Sequence, residues 1–406
     1  MFRHLVVAFA VSLVGDGVRM VALPLTAALI TGSPLALAAV AAAELVPWLL
    51  LGMPVGAWVD RSNPRAALLL AHLGRAVLSA VLVGALVTGH AGVTALCALA
   101  FTLTALETVG DAAGQVLLVK AAGPDDLLPA NTRMRSLETL LVNLAGPLVG
   151  GALVAVDPHL GLAFMLDAVT FLLAAGAVAV LPSWVGRADG GDASAVSSLR
   201  HAVLEGVVLL WRTPALRLLV GITLWTSLAT GAVNAMMSLY ALDVLGLPVA
   251  AVPVITIVEA VGVLLGAQLV GRVRAWRSEG AVLSTALFLV GGAYLVVGLA
   301  PSTAVVLACY FAGGAGFGWW NVLASTRRQR LTPPELLGRT SNAGRALTWG
   351  AMPLGALLGG LLASSVSLPS VYIAAGSLVL AVALFKRRAL LDEASPTANL
   401  AASAPA

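Results

Sequence analysis

Long apolar runs, rather than short alternations of apolar and polar residues, dominate this chain. A helix crossing the hydrocarbon core of a bilayer needs roughly 20 apolar residues. Read at that length, the sequence yields twelve runs, at residues 5–30, 36–57, 67–88, 93–118, 134–157, 160–182, 215–242, 250–271, 280–299, 302–324, 340–363 and 368–386. Lipid offers backbone groups no hydrogen-bond partner, so each run is expected to be helical, and they are numbered below as spans one to twelve. The predicted fold class is an all-α membrane protein with twelve transmembrane helices.

The polar segments between the runs organise the chain. The longest internal one covers 183–214 and opens with a loop-like Gly186-Arg-Ala-Asp-Gly-Gly-Asp-Ala-Ser stretch. From Ser198 to Arg212 the pattern turns helical, with Leu199, Val203, Gly206 and Leu210 on one side, as for a helix lying at the membrane surface. The expected organisation is therefore a six-helix bundle over 1–182, a cytoplasmic linker over 183–214, and a second six-helix bundle over 215–388. An Ala-, Ser- and Pro-rich disordered cytoplasmic tail is expected over 389–406. The halves are similar to each other. Span five contains Gly146-Pro147-Leu148-Val149-Gly150-Gly151, and span eleven carries Met352-Pro353-Leu354-Gly355 and then Gly359-Gly360 at the matching place. Pseudo-symmetric halves with Gly/Pro-interrupted spans point to a transporter whose site lies between the repeats.

Composition agrees with this reading. Of 406 residues, 60% are hydrophobic and only 10% charged, and the mean hydropathy is +0.99. A soluble protein of this length needs far more charge to cover its surface. The net charge of +4 would imply an acidic partner for a soluble chain, but the placement of the charges gives another explanation. All but three of the 23 Lys and Arg fall at the N-terminus, in the even-numbered loops, at the C-terminal end or, as Arg135, Arg217 and Lys386 do, within three residues of the cytoplasmic end of a span. The exceptions, Arg19, Arg75 and Arg345, lie within spans, and the odd-numbered loops have none. By the positive-inside rule both termini are cytoplasmic and the protein is a multi-pass component of the cytoplasmic membrane. Cys97 and Cys309 fall within spans and are expected as small apolar core residues, without a disulfide or a metal site.

The loop between spans two and three reads Gly56-Ala57-Trp58-Val59-Asp60-Arg61-Ser62-Asn63-Pro64-Arg65. This resembles the major facilitator superfamily signature, Gly-x-x-x-Asp-Arg followed by a further basic residue, at the position where that family carries it. The usual second glycine is replaced by Asn63 or Pro64. The resemblance implies the family's two-bundle fold, and a gating role for Gly56, Asp60, Arg61 and Arg65 that locks the inner helix ends together. On physical grounds Gly56 is expected at a close helix approach. Asp60 is expected to accept hydrogen bonds from a helix N-terminus, and Arg61 and Arg65 to pair with acids or lipid phosphates. Gly146, Pro147, Gly150 and Gly151 resemble the span-five signature of the antiporter subgroup, although Val142 replaces its leading glycine. There Pro147 removes a backbone hydrogen bond and leaves a local weak point. Gly15-Asp16-Gly17, Leu127-Leu128-Pro129-Ala130-Asn131 and Leu331 to Arg339 are similar to the branch containing enterobactin exporters and macrolide-efflux proteins. That likeness implies export of small molecules.

Charges inside the membrane are costly and mark function. Span one carries Ser12, Gly15, Asp16 and Arg19 as one stripe, and span four carries Glu107, Gly110, Asp111 and Gly114 at the same spacing. In the family these two spans line the central cavity, so the stripes are expected to face each other. Two acids one turn apart in a low dielectric cannot both ionise cheaply. Asp16, Glu107 and Asp111, with Arg19 as counter-charge, are therefore proton-coupling candidates. A permanent Asp16–Arg19 pair beside a hydrated Asp111 is the alternative. Glu44 and Glu259 near mid-depth are further candidates, as second proton sites or as ligands for a cationic substrate. Arg75 and Arg345 are expected near the cytoplasmic ends of spans three and eleven, where snorkelling costs little, and structural gating contacts are their expected role. Pockets for drug-sized molecules are apolar and aromatic with a few polar groups, which makes Asn234, Met237, Tyr310, Phe311 and Trp349 substrate-binding candidates. Trp58, Trp184, Trp211, Trp276, Trp319 and Trp320 are expected in interfacial belts.

The leading function is a proton-coupled exporter of small amphipathic molecules such as antibiotics or siderophores. An importer or uniporter of a polar metabolite is the alternative within transport. A membrane enzyme is not expected: the five His residues are scattered, and no Gly-x-x-x-x-Gly-Lys-Ser/Thr loop occurs. The expected partners are a small-molecule substrate, protons and the lipid bilayer. No cofactor, metal or nucleic acid is expected, and the working unit is expected to be a monomer.

Overall fold

The structure is a computed structural model that describes residues 2–59, 61–122, 127–157, 161–182, 208–332 and 337–392. Among these, twelve helices are long and apolar enough to cross a membrane, and no strand occurs. Spans one to four are Phe2–Thr31, Pro34–Val59, Pro64–Val87 and Val93–Ala122. Span five comprises Leu127–Leu140, a π-helical segment Leu141–Ala145 and Gly146–Val156, and span six is Gly161–Ala179. Span seven runs from Pro214 to Leu239 and continues into a second π segment, Tyr240–Val244. Span eight is Pro253–Trp276, preceded by a 3₁₀ turn, and spans nine to twelve are Glu279–Leu299, Thr303–Leu331, Leu337–Ser365 and Leu368–Asp392.

The helix ends follow from local sequence. Spans two, three, seven and eight open on Pro34, Pro64, Pro214 and Pro253, where a missing N–H costs nothing and the fixed φ suits a first turn. The signature-region departure at Asn63-Pro64 is such a start: the Asn63 side chain caps span three by accepting from Ala66 N–H at 2.9 Å. The tight turns after spans one, three and seven use Gly32, Gly89 and Gly246, each with positive φ. Span twelve stays helical through 389–392, inside the stretch expected as a tail, because Leu390 is buried and its carbonyl lies against Gly280 of span nine. Of the linker helix expected over 198–212, only 208–212 is described and is helical, with Leu210 buried beside Leu216 and Val220. The remainder, and residues 393–406, lie outside the described residues.

Two compact units emerge, one formed by Met1–Arg200 with Asn234–Ile257 and Ala356–Ser365, the other by His201–Val233 with Val258–Gly355 and Val366–Ala406. Each has its own apolar core. In the first, Leu5, Ala8, Leu68, Leu117 and Val178 cluster. In the second, Leu219, Leu283, Leu287, Trp320 and Leu390 do so. Trp320 is thus a core residue rather than a belt residue, whereas Trp58, Trp211 and Trp276 are exposed. Leu70, Val77, Leu172, Leu173 and Phe385 are also exposed, as expected of side chains that lipid covers.

Close helix crossings recur at a spacing of six spans. In the first unit, a Cβ on Gly17 of span one would stand 2.8 Å from Gly146 Cα of span five. In the second, Gly231 of span seven meets the Met352 backbone of span eleven, and Gly355 meets Leu228. Spans three and six pack together in the first unit, as spans nine and twelve do in the second. In a bilayer, where burial of apolar surface gives little net drive between helices, such small-residue contacts hold neighbours through dispersion.

Candidate functional site

Within the first unit, four spans bring charged side chains together near their midpoints. The helical spacing in span one puts Ser12, Gly15, Asp16 and Arg19 on one face. Gly15 lies directly against span six: a Cβ there would overlap Thr170 Oγ1 and stand 2.7 Å from Asp167 Oδ1. Arg19 reaches three carboxylates, donating to Glu107 at 2.5 Å, to Asp16 at 3.3 Å and to Glu44 of span two at 3.4 Å. Arg75 of span three donates to Asp16 and, at 3.3 Å, to Glu107. Both guanidinium side chains are 5% exposed, whereas Asp16, Glu44 and Glu107 retain 15%, 27% and 23%. The arginines are therefore fixed inside and the acids keep partial access. Three carboxylates share two guanidiniums by direct contact, and Asp167 lies within electrostatic reach of both arginines.

Surrounding groups fix the arginines. The Arg75 guanidinium stands 4.0 Å over the Phe171 ring of span six, and His72, one turn earlier on span three, stacks on the same ring at 6.0 Å. Such a cation–π contact holds a guanidinium without adding charge. Asp167, also on span six, is fully buried and accepts from Ser79 Oγ at 2.6 Å. Its other oxygen, and the Nε of Arg19 and of Arg75, have no hydrogen-bond partner among the described residues.

The expected stripes thus meet, with one correction. Arg75 does not snorkel: it sits at the centre of Pro64–Val87, 4% exposed, and belongs to the cluster. A span three beginning at residue 67 would put Arg75 near its end, whereas the helix begins at Pro64. Counting from Pro64, already a helix-start signal, reveals the true depth. Asp111 shares a helix face with Glu107 and is exposed; it makes no ion pair or hydrogen bond among the described residues but interacts through space with Glu107, Asp16 and Arg75. Phe171, Ser79 and His72 carried no signal in the sequence beyond their position within spans.

The signature loop gives a mixed picture. Asp60 lies outside the described residues, as does the side chain of Arg345. Gly56 is not at a close approach: nothing among the described residues lies within 4 Å of where its Cβ would stand. Arg61 is exposed. Among the described residues Arg65 pairs with no acid but donates to the last carbonyls of span six, Ala179 O at 2.7 Å and Val178 O at 3.4 Å. That is a C-terminal helix cap by a cation, favourable to the helix dipole. In span five, Gly146, Pro147 and Gly150 are buried. Pro147 cannot supply an N–H to the preceding turn, and the helix widens there into the π segment, with Gly146 N–H donating to Leu141 O. Gly151 has Pro253 3.2 Å from the place of a Cβ.

In the second unit, Glu259 and Tyr310 line a small cavity together. Phe311 and Trp349 are exposed and line no part of it. Asn234 and Met237 belong to the first unit, Asn234 exposed and Met237 accepting a weak contact from Thr256 Oγ1 at 3.9 Å. The five substrate-binding candidates are therefore not gathered in one pocket of either unit. No group of three or more His, Cys, Asp or Glu that could hold a metal ion occurs among the described residues.

Comparison with known proteins agrees with this architecture. The multidrug efflux pump Tap of Mycolicibacterium fortuitum is 29% identical over 378 residues, covering 89% of this chain and 88% of that protein. Macrolide efflux protein A of Streptococcus pyogenes is 22% identical over 383 residues, covering 92% of each. The crystal structure of the nucleoside transporter NupG superposes with a TM-score of 0.75 at 11% identity, covering 96% of this chain and 98% of that one, a likeness of fold alone. A sequence model described as Major Facilitator Superfamily matches residues 5–347. With twelve spans, six-span-related crossings and this match over most of its length, the chain belongs to the major facilitator superfamily of membrane transporters.

Proposed function

We propose that this transporter is a proton-coupled exporter of small amphipathic organic molecules of the antibiotic or siderophore kind. The observation that carries the reading is the cluster in which Asp16, Glu44 and Glu107 share Arg19 and Arg75. Buried charges without a net balance are costly, and an acid in excess inside a membrane protein is a proton site by default. Glu44 is the most easily released of the three. It has one partner at 3.4 Å and the greatest exposure, whereas Asp16 and Glu107 each touch both arginines. In this reading a proton arriving on Glu44 cancels its hold on Arg19 and loosens span two from span one. Loss of the proton to the opposite side restores the pair. The direction of transport rests on the efflux relatives and on the Gly146–Gly151 element.

The test is expression in a host lacking its own efflux pumps. The expected result is lowered accumulation of a macrolide, restored by a protonophore and by Glu107→Gln. Raised accumulation of a polar metabolite would instead make the protein an importer. Export that ignores the protonophore would remove the proton from the mechanism.

A further inference from the structure

Spans eight, nine, ten and twelve bring basic ends together in the second unit. The junction of spans eight and nine carries Arg272, Arg274 and Arg277, followed by Glu279 in the first turn of span nine. Glu279 is a shared acid: Arg274 of span eight reaches it at 3.1 Å, and Arg330 from the end of span ten at 3.2 Å. The Leu390 carbonyl of span twelve lies against Gly280, the next residue, and Lys386, Arg387 and Arg388 are exposed just before it. Residues 272–280 and 386–392 together carry six basic residues and two acids, Glu279 and Asp392. Positive charge is in excess here even after Glu279 has taken its share.

Two features set this end apart from an ordinary basic loop. The guanidiniums have donors to spare. Arg274 and Arg330 each meet Glu279 through Nη1 and make no other ion pair or hydrogen bond among the described residues, which leaves most N–H groups of each fork unused. Arg65 of the first unit, by contrast, spends Nε and Nη2 on span-six carbonyls. Apolar surface also runs up to the charges. Leu265, Leu269, Arg272 and Trp276 share one face of span eight by helical spacing, and all four are exposed, Trp276 at 87%.

We infer that this end of the second unit binds the headgroup of an anionic phospholipid, with the acyl chains along the exposed face of span eight. Basic clusters at the ends of membrane helices attract such headgroups, and an arginine fork can meet two phosphate oxygens at once. Glu279 positions the two forks side by side, and the N-terminus of span nine adds the positive end of its helix dipole. A free phosphate would use the arginines but not the leucines and Trp276, whereas a lipid uses both. The site stands apart from the exporter reading, since its occupancy is measured without transport.

The experiment is native mass spectrometry of the purified full chain in a neutral detergent, titrated with dioctanoylphosphatidylglycerol. Saturable binding is expected, tighter than that of dioctanoylphosphatidylcholine, which has the same tails and no net charge. The double variant Arg274→Gln with Arg330→Gln should bind about tenfold or more weakly. Arg3→Gln with Arg61→Gln, which removes as much exposed charge from the first unit, should bind like the parent. Equal loss in the two double variants would show attraction by net charge alone and overturn the site. Equal binding of the two lipids would do the same. If the Arg274/Arg330 variant does not fold, competition on the parent decides. Displacement of phosphatidylglycerol by the same concentration of phosphatidylcholine would overturn the inference, and displacement by inorganic phosphate would replace the lipid with a free anion.

Discussion

Arg19 of span one and Glu107 of span four form a 2.5 Å ion pair with the arginine side chain only 5% exposed. The same guanidinium also serves Asp16 and Glu44, so its removal leaves Asp16 and Glu107 on Arg75 alone and takes from Glu44 its guanidinium partner. Breaking a buried pair from one side costs about 3–5 kcal/mol because the remaining charge is left unpaired. Arg19→Leu is therefore expected to lower the melting temperature sharply or to prevent recovery of monodisperse protein. The double change Arg19→Leu with Glu107→Gln should recover much of that loss. Thermal unfolding of the two variants side by side checks this, and equal damage in both would mean that the pair is incidental.

Glu44→Gln separates coupling from stability. The side chain keeps its size and the remaining Asp16 and Glu107 then match Arg19 and Arg75 one to one, so folding should be unimpaired. In proteoliposomes, export against a gradient driven by a pH difference should fall to background, while downhill exchange of substrate persists. Retained uphill transport would move the proton to Asp16, Glu107 or Asp111.

Most of the architecture was legible because lipid imposes a strong pattern: twelve apolar runs, basic residues between alternate pairs, and Gly/Pro at fixed points. The site was legible only as far as helical spacing carries. Asp16 with Arg19, and Glu107 on the facing stripe, follow from the three- and four-residue period. Spacing also puts Asp111 on the face of Glu107, where it interacts through space with Glu107, Asp16 and Arg75 without a hydrogen bond or ion pair among the described residues. The depth of Arg75 is not legible from spacing, because it depends on where the span begins. The approach of Phe171 and Ser79 depends on how spans three and six pack, which no local pattern encodes. Gly56 and Gly17 look alike in sequence, yet only Gly17 touches another backbone.

Phe171 is expected to be a positioning residue for Arg75. Its ring centre lies 4.0 Å from the guanidinium carbon, and a desolvated cation–π contact of this kind is worth about 2 kcal/mol. Phe171→Leu should lower stability by that order and weaken uphill transport, whereas Phe171→Tyr should keep both. The transport assay distinguishes the two roles of the ring. A residue that merely fills space would be replaced adequately by leucine once the temperature is lowered, but one that aims Arg75 would not.

The glycine contrast gives a paired prediction about packing. A side chain on Gly146 would run into the Gly17 backbone, and Gly17 in turn has Leu141 O 2.7 Å and Val142 Cα 3.0 Å from where its Cβ would stand. Backbone cannot yield as a flexible side chain can, so Gly146→Val must push spans one and five apart at the π segment. Displacing span one also shifts Asp16 and Arg19, which flank Gly17 and belong to the charge cluster, so folded protein, if recovered, should lack uphill transport. Gly56→Ala meets open space within span two, and exchanging Gly for Ala in a helix interior is worth up to about 1 kcal/mol. That variant should melt at the same temperature or higher. Expression, size-exclusion profile and melting of the two single variants test the pair. A stable Gly146→Val protein with normal export would show that the span one–five crossing is not needed for the transport cycle.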